Sequence, residues 1–123
     1  MRVDGILAGR RIFLVEDQFI IAMEMERALK QAGCVVIGPV GRLKAAMEVA
    51  RTEAFDFAVL DVNLFGEWVF PVADILESRG IPLLLATGYG LSAVPKGGRA
   101  WPVVAKPYDA EQVLDYIIEA LHR

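Results

Sequence analysis

Five short apolar runs recur along the chain, at residues 12–15, 35–40, 57–60, 82–86 and 103–105. Each is rich in Val, Ile or Leu and too short for a buried helix, so each reads as a strand. Between most of them lie stretches with helical spacing. Ile21, Met25, Ala28 and Ala32 fall on one stripe, and Leu43, Ala46, Met47 and Ala50 on a second. Val69, Val72, Ala73 and Leu76 form a third, and Val113, Ile117, Ala120 and Leu121 a fourth. Strand alternating with helix predicts an α/β domain whose parallel sheet is covered on both faces. The runs lack polar alternation, as strands buried on both faces do. Gly33 and Gly80 stand where the first and third helices should end, in keeping with C-caps. Residues 88–102 differ: Gly88, Gly90, Gly97 and Gly98 alternate there with Pro95 and Pro102. A fourth helix in that stretch is therefore expected to be short or irregular.

Composition narrows the function. At 123 residues the chain is one domain long. Its 55% apolar and 24% charged residues are a globular balance. A net charge of -3 offers no basic face for nucleic acid. Cys34 is the single cysteine, which excludes a disulfide scaffold or a cysteine-held metal. His122 is the single histidine, so histidine-based catalysis has almost no candidate. No uncharged stretch is long and unbroken enough to span a bilayer. Asp4, Gly5 and Gly9 interrupt any secretory signal. The expectation is a cytoplasmic protein with no membrane or nucleic-acid partner.

Polar residues follow four of the apolar runs: Glu16 and Asp17 the first, Asp61 the third, Thr87 the fourth and Lys106 the fifth. In open parallel sheets, ligands bind beyond these carboxyl ends. Singly, each residue has a bland explanation: Asp17 is a helix N-cap, Thr87 a strand end, Lys106 a surface charge. Together on one rim they resist it. Three crowded carboxylates repel unless a cation neutralises them. Magnesium, which takes one or two carboxylates with waters and a phosphoryl oxygen, answers that need. A remaining carboxylate can then act as a nucleophile and form an aspartyl-phosphate. Lys106 and the metal would spread the phosphoryl charge, and Thr87 would donate to one of its oxygens.

The sequence resembles a response-regulator receiver domain of two-component signalling. Four segments carry the resemblance: Ile12-Phe13-Leu14-Val15-Glu16-Asp17, Ala58-Val59-Leu60-Asp61-Val62-Asn63-Leu64, Ala86-Thr87-Gly88 and Lys106-Pro107-Tyr108. It covers residues 11–123, leaving residues 1–10 as an N-terminal extension. The resemblance implies a doubly wound, flavodoxin-like fold with five parallel strands in the order 2-1-3-4-5. It makes Asp61 the phosphoacceptor. Magnesium would be held by Glu16, Asp17, Asp61 and the backbone carbonyl of Asn63. Thr87 would be the switch hydroxyl and Lys106 the phosphoryl-binding lysine, with the Lys106–Pro107 bond in cis. The donor would be a histidine kinase or a histidine phosphotransferase, and the output a contact with a downstream protein. Leu84-Leu85-Ala86-Thr87-Gly88-Tyr89-Gly90 is also similar to the Phe-Ala-Thr-Gly-aromatic motif of the FAT GUY receivers, which are often stand-alone. Leu85 replaces their Phe.

Several positions depart from the family pattern. The aromatic residue expected three places before the lysine is Val103, so Tyr89 is the substitute switch residue, unless it only covers the glycine-rich loop. Its bulk is also expected to obstruct the water that hydrolyses the aspartyl-phosphate. Phe65 replaces a common proline, so the loop after Asp61 is expected to take another shape. Phe19, Ile20 and Met23 lie off the core stripe of the first helix. Either neighbouring loops cover them, or they form a docking patch for the phosphodonor, to which Pro107 and Tyr108 also belong. Trp68 is expected to start the third helix and Trp101 to flank the fifth strand. Beyond its own phosphorylation and dephosphorylation, the chain is not expected to be an enzyme. One alternative is a receiver-like interaction domain working without phosphorylation. Another is an aspartyl-phosphate phosphohydrolase, which wants an acid where Asn63 stands. A flavodoxin-like cofactor binder would need a phosphate-cradling glycine loop after the first strand, and none is there.

Overall fold

The computed structural model describes residues 5–88 and 101–122. Its elements run β1 (Arg11–Val15), α1 (Phe19–Gln31), β2 (Val35–Val40), α2 (Leu43–Thr52), β3 (Phe57–Asp61), β4 (Asn63–Leu64) and β5 (Glu67–Trp68). They continue with α3 (Phe70–Ser78), β6 (Leu83–Thr87), β7 (Val103–Ala105) and α4 (Ala110–His122). The five main strands pair in parallel in the order β2-β1-β3-β6-β7. Counted along the main sheet alone, this is the expected order 2-1-3-4-5. The expected short helix and Tyr89 fall in 89–100, outside the described residues.

Each central strand sends alternate side chains to opposite faces, which is why it reads as a continuous apolar run. Ile12, Leu14, Val59 and Leu84 face α1 and α4, meeting Met25, Leu29, Val113 and Ile117. Phe13, Val15, Leu60 and Leu85 face α2 and α3, meeting Ala46, Ala50, Val72 and Leu76. The buried stripe of α1 is Ala22, Met25 and Leu29, continued by its C-cap residue Ala32. Ile21 and Ala28, read as core from spacing, flank that stripe and are half-buried. Gly33 and Gly80 follow their helices with φ of 99° and 71°, as C-caps do. Lys106–Pro107 is cis, and so is Gly38–Pro39.

Two local features were not legible. Residues 5–10 turn across the amino ends of the strands: the Gly9 N–H donates to the Gly33 carbonyl at 2.9 Å, and Leu7 is 0% exposed. Then, between β3 and α3, β4 and β5 form a small antiparallel hairpin, with Asn63 opposite Trp68 and Leu64 opposite Glu67. Its two turn residues, Phe65 and Gly66, have φ of 50° and 85°. Positive φ at both central positions matches the twist of a two-residue hairpin. Trp68 therefore belongs to β5 and does not start α3. That helix begins at Phe70, with Pro71 in its first turn. Trp68, Phe70 and Trp101 stack in sequence, with ring centroids 6.1 and 6.2 Å apart.

Candidate functional site

Parallel pairing brings the carboxyl ends of β1, β3, β6 and β7 to one edge. Val15 is in register with Leu60, Asp61 with Ala86, and Thr87 with Ala105. The Glu16 N–H donates to the Val40 carbonyl at 3.0 Å, and the Lys106 N–H to the Thr87 carbonyl at 2.9 Å. These backbone bonds continue the ladder past the strands and set where both side chains leave it. The Lys106 Nζ lies 2.9 Å from Glu16 Oε1 and 3.1 Å from Asp61 Oδ2. Glu16 Oε2 accepts from the Gln18 N–H at 3.1 Å. Asp17 Oδ2 accepts from the Phe65 N–H at 2.9 Å, and Asn63 Oδ1 from the Gly66 N–H at 2.9 Å. Asp17, Gln18, Asp61, Asn63, Gly88 and Lys106 line a cleft of about 200 Å³.

One carboxylate oxygen from each of Glu16, Asp17 and Asp61 lies within 4.8 Å of the others. Lys106 offsets one of those charges, so full ionisation would leave -2 (three acids less one ammonium). Burial, then the neighbouring Glu16, push the Asp61 carboxyl up to about 8. Burial also raises Asp17, but the Phe65 N–H and the contacts with Asp61 and Glu16 outweigh it and hold Asp17 below the usual carboxylate range. For Lys106, burial favours the neutral amine. Bonding to Glu16 and the field of Asp61 overcome that and raise its affinity for the proton. Tyr108 is raised as well, by burial first and then by Glu16 and Asp61. Glu16 Oε1 is buried and accepts no hydrogen bond, although the ammonium is in ion-pair contact with it. An all-oxygen donor set with surplus negative charge fits a hard divalent cation.

Glu16, Asp17, Asp61, Asn63, Thr87 and Lys106 thus come to one strand-end edge, Glu16, Asp61 and Thr87 being buried. Asp17 does not cap α1. The N-cap is Gln18, which makes no side-chain capping bond, and the Asp17 carboxylate is turned to the hairpin instead. On α1, Phe19 is 72% and Ile20 63% exposed, and Met23 is also exposed. Pro107 is exposed, whereas Tyr108 is half-buried against the core between α1 and α4. Three contributors carry no motif of their own in the sequence: the amides of Gln18 and Phe65, and Arg42, whose guanidinium lies 4.3 Å over the Phe65 ring. Only the Phe65-Gly66 pair, a possible turn, hinted at them.

Fold and cleft define a doubly wound α/β protein whose acids converge at the carboxyl edge of the sheet, where such folds bind their ligands. Residues 12–118 match the response regulator receiver domain family, and the chain belongs to it. Its class is that of two-component signalling domains. The chain is 33% identical to SdrG from Sphingomonas melonis Fr1, covering 95% of this chain and 98% of that one, with a TM-score of 0.77. The magnesium-bound receiver domain of the sensor histidine kinase PA1611 from Pseudomonas aeruginosa shares the fold at 20% identity. Its TM-score is 0.81, covering 94% of this chain and all of that one, and its ion is coordinated in the active-site cleft. The transcriptional regulatory protein PdtaR from Mycobacterium tuberculosis is 23% identical over 118 residues, 93% of this chain. The chain spans 58% of the length of PdtaR.

Proposed function

We propose that this receiver accepts a phosphoryl group on Asp61 from a phosphohistidine of a histidine kinase or histidine phosphotransferase. The reading rests above all on Lys106, whose ammonium is shared between Glu16 and Asp61 beside the third acid, Asp17. An Asp61 carboxylate oxygen attacks phosphorus. The phosphorus–nitrogen bond breaks, and the imidazole nitrogen leaves with the electron pair and takes up a proton. Glu16, Asp17, Asp61 and the Asn63 carbonyl are the proposed ligands of a magnesium ion. When bound, that ion neutralises charge on the carboxylates and the transferred group. Lys106 exchanges its contact with Asp61 for one with the incoming phosphoryl oxygens, and Thr87 donates its hydroxyl to them. A neutral amide at Asn63 leaves no acid at that position to protonate a general leaving group, which favours a switch over a phosphohydrolase. Phe19, Ile20 and Met23 on α1 are the proposed docking patch for the donor, in the cytoplasm, with the signal passed on by contact with a downstream protein.

The test is incubation with magnesium and either acetyl phosphate or a phosphorylated histidine kinase. A base-labile phosphoryl adduct is expected on the parent protein and absent from Asp61→Asn. No adduct from either donor would leave an interaction domain that works without phosphorylation, and turnover of many phosphate esters would leave a hydrolase.

A further inference from the structure

We propose that Arg42 and Phe65 form a clamp across two loops that positions the Asp17 carboxylate for the divalent cation. The inference rests on the cation reading above and adds residues outside the acidic cluster. Phe65 has φ 50°, in the left-handed region that a bulky L side chain seldom occupies. Burial does not hold it there, since Phe65 is 60% exposed. Two contacts do. Its N–H donates to Asp17 Oδ2 at 2.9 Å, a bond between residues 48 positions apart. Its ring lies under the Arg42 guanidinium, 4.3 Å from ring centroid to Cζ. That distance and geometry are those of a cation–π contact.

Arg42 is the N-cap residue of α2, its backbone carbonyl accepting from the Ala46 N–H at 2.9 Å, and the preceding Gly41 backs onto the site. A Cβ at Gly41 would lie 3.4 Å from both the Asp17 Cα and the Glu16 carbonyl oxygen. The loop before α2, the segment after β1 and the β4–β5 hairpin therefore meet around Asp17. Without the ring contact, only the two-residue strands of the hairpin hold Phe65 at positive φ, and it rotates toward negative φ more often. That rotation turns its N–H away and frees the Asp17 carboxylate to reorient. Cation binding must then order Asp17 at its own cost, so affinity falls. A proline at position 65 would have no N–H to donate, so the clamp depends on a residue there that keeps its backbone amide.

The test is calorimetric titration of the full chain with Mg2+. It is paired with hydrogen exchange at the Phe65 amide in chelator, a readout that needs no metal. Arg42→Met and Phe65→Leu keep bulk but remove the cation or the π face. Each is expected to bind Mg2+ about two- to fivefold more weakly and to speed exchange at the Phe65 amide. Arg42→Lys and Phe65→Tyr retain the contact and should stay near the parent in both readouts. A merely structural role would lower the thermal midpoint and leave Mg2+ affinity alone. Unchanged affinity in both Arg42→Met and Phe65→Leu, with the parent binding normally, removes the clamp and leaves the proposed function standing. A parent that binds no Mg2+ overturns the cation reading, and the clamp with it.

Discussion

Lys106 meets only two of the three carboxylates gathered at the strand ends, and the acid with the largest burden is Asp61. Its carboxyl holds a proton up to about 8, for burial first and Glu16 second. An unfolded chain releases that proton near the ordinary carboxylate value of 3.8. Between those two values the folded state binds more protons than the unfolded state, so stability falls as pH rises through the window. In chelator, the thermal midpoint should therefore drop between about pH 5 and pH 8, and Mg2+ should recover most at the upper end. Asp61→Asn removes the buried charge while Lys106 keeps Glu16. We expect it to gain on the order of 1–2 kcal/mol at pH 8 without metal, roughly 4–8 °C in midpoint, and to flatten the pH dependence. Scanning calorimetry of the two proteins at both pH values checks this, and a midpoint that rises with pH in chelator would contradict it. Lys106→Met should do the reverse. It leaves Glu16 and Asp61 buried without their cation, at a cost of about 2–4 kcal/mol at pH 8 and less at pH 5, where Asp61 is protonated anyway.

At the scale of elements, the difference between two glycines separates steric from conformational cost. Gly38, in β2, has φ 111°, and a Cβ there would stand 2.6 Å from the Leu14 carbonyl oxygen and 2.9 Å from the Val40 nitrogen. Both obstacles are backbone atoms, the Leu14 carbonyl across the pair in β1 and the Val40 nitrogen further along β2 itself, so neither yields easily. Gly38→Ala is expected to cost about 2–4 kcal/mol, chiefly by prising β2 from β1. Gly66, at the hairpin turn, has φ 85° but nothing within 4 Å of a Cβ, so Gly66→Ala carries only the conformational cost of about 1 kcal/mol. Urea unfolding of the two variants should rank them in that order, and equal losses would mean the β1–β2 contact yields more easily than its geometry implies. The same contrast explains what was legible. The five sheet strands announce themselves as apolar runs and the four helices among the described residues through helical spacing, and the acids, Thr87 and Lys106 follow from where the strands end. The hairpin does not. Its strands are two residues each, its turn carries Phe where Asn or Asp would be the usual signal, and its bond to Asp17 spans 48 positions. Taken alone, Asp17 has the local pattern of a helix cap, and its carboxylate accepts from a long-range partner instead.

For the molecule as a whole, the sheet separates two jobs along the strand direction. The carboxyl ends carry the buried charges, which are costly without a cation, and the apolar layers on both faces hold the strands in register against that cost. Residues 5–10 close the opposite, amino-terminal edge, where the Arg11 N–H donates to Asp56 Oδ2 at 2.8 Å and Leu7 enters the core shared by α1, α4 and the sheet. Leu7 was invisible to periodicity because it belongs to no element. It is one apolar side chain in a turn, and only the three-dimensional closure of the strand ends buries it. Leu7→Ala should cost about 2–4 kcal/mol, the range for emptying a fully buried leucine site. The urea midpoint should fall with the slope of the transition unchanged. Because the cavity opens at the edge remote from the acids, Mg2+ affinity of the folded variant should match that of the parent. A variant that loses affinity along with stability would show that packing at the amino edge is felt at the carboxyl edge, and that the two jobs are coupled through the sheet.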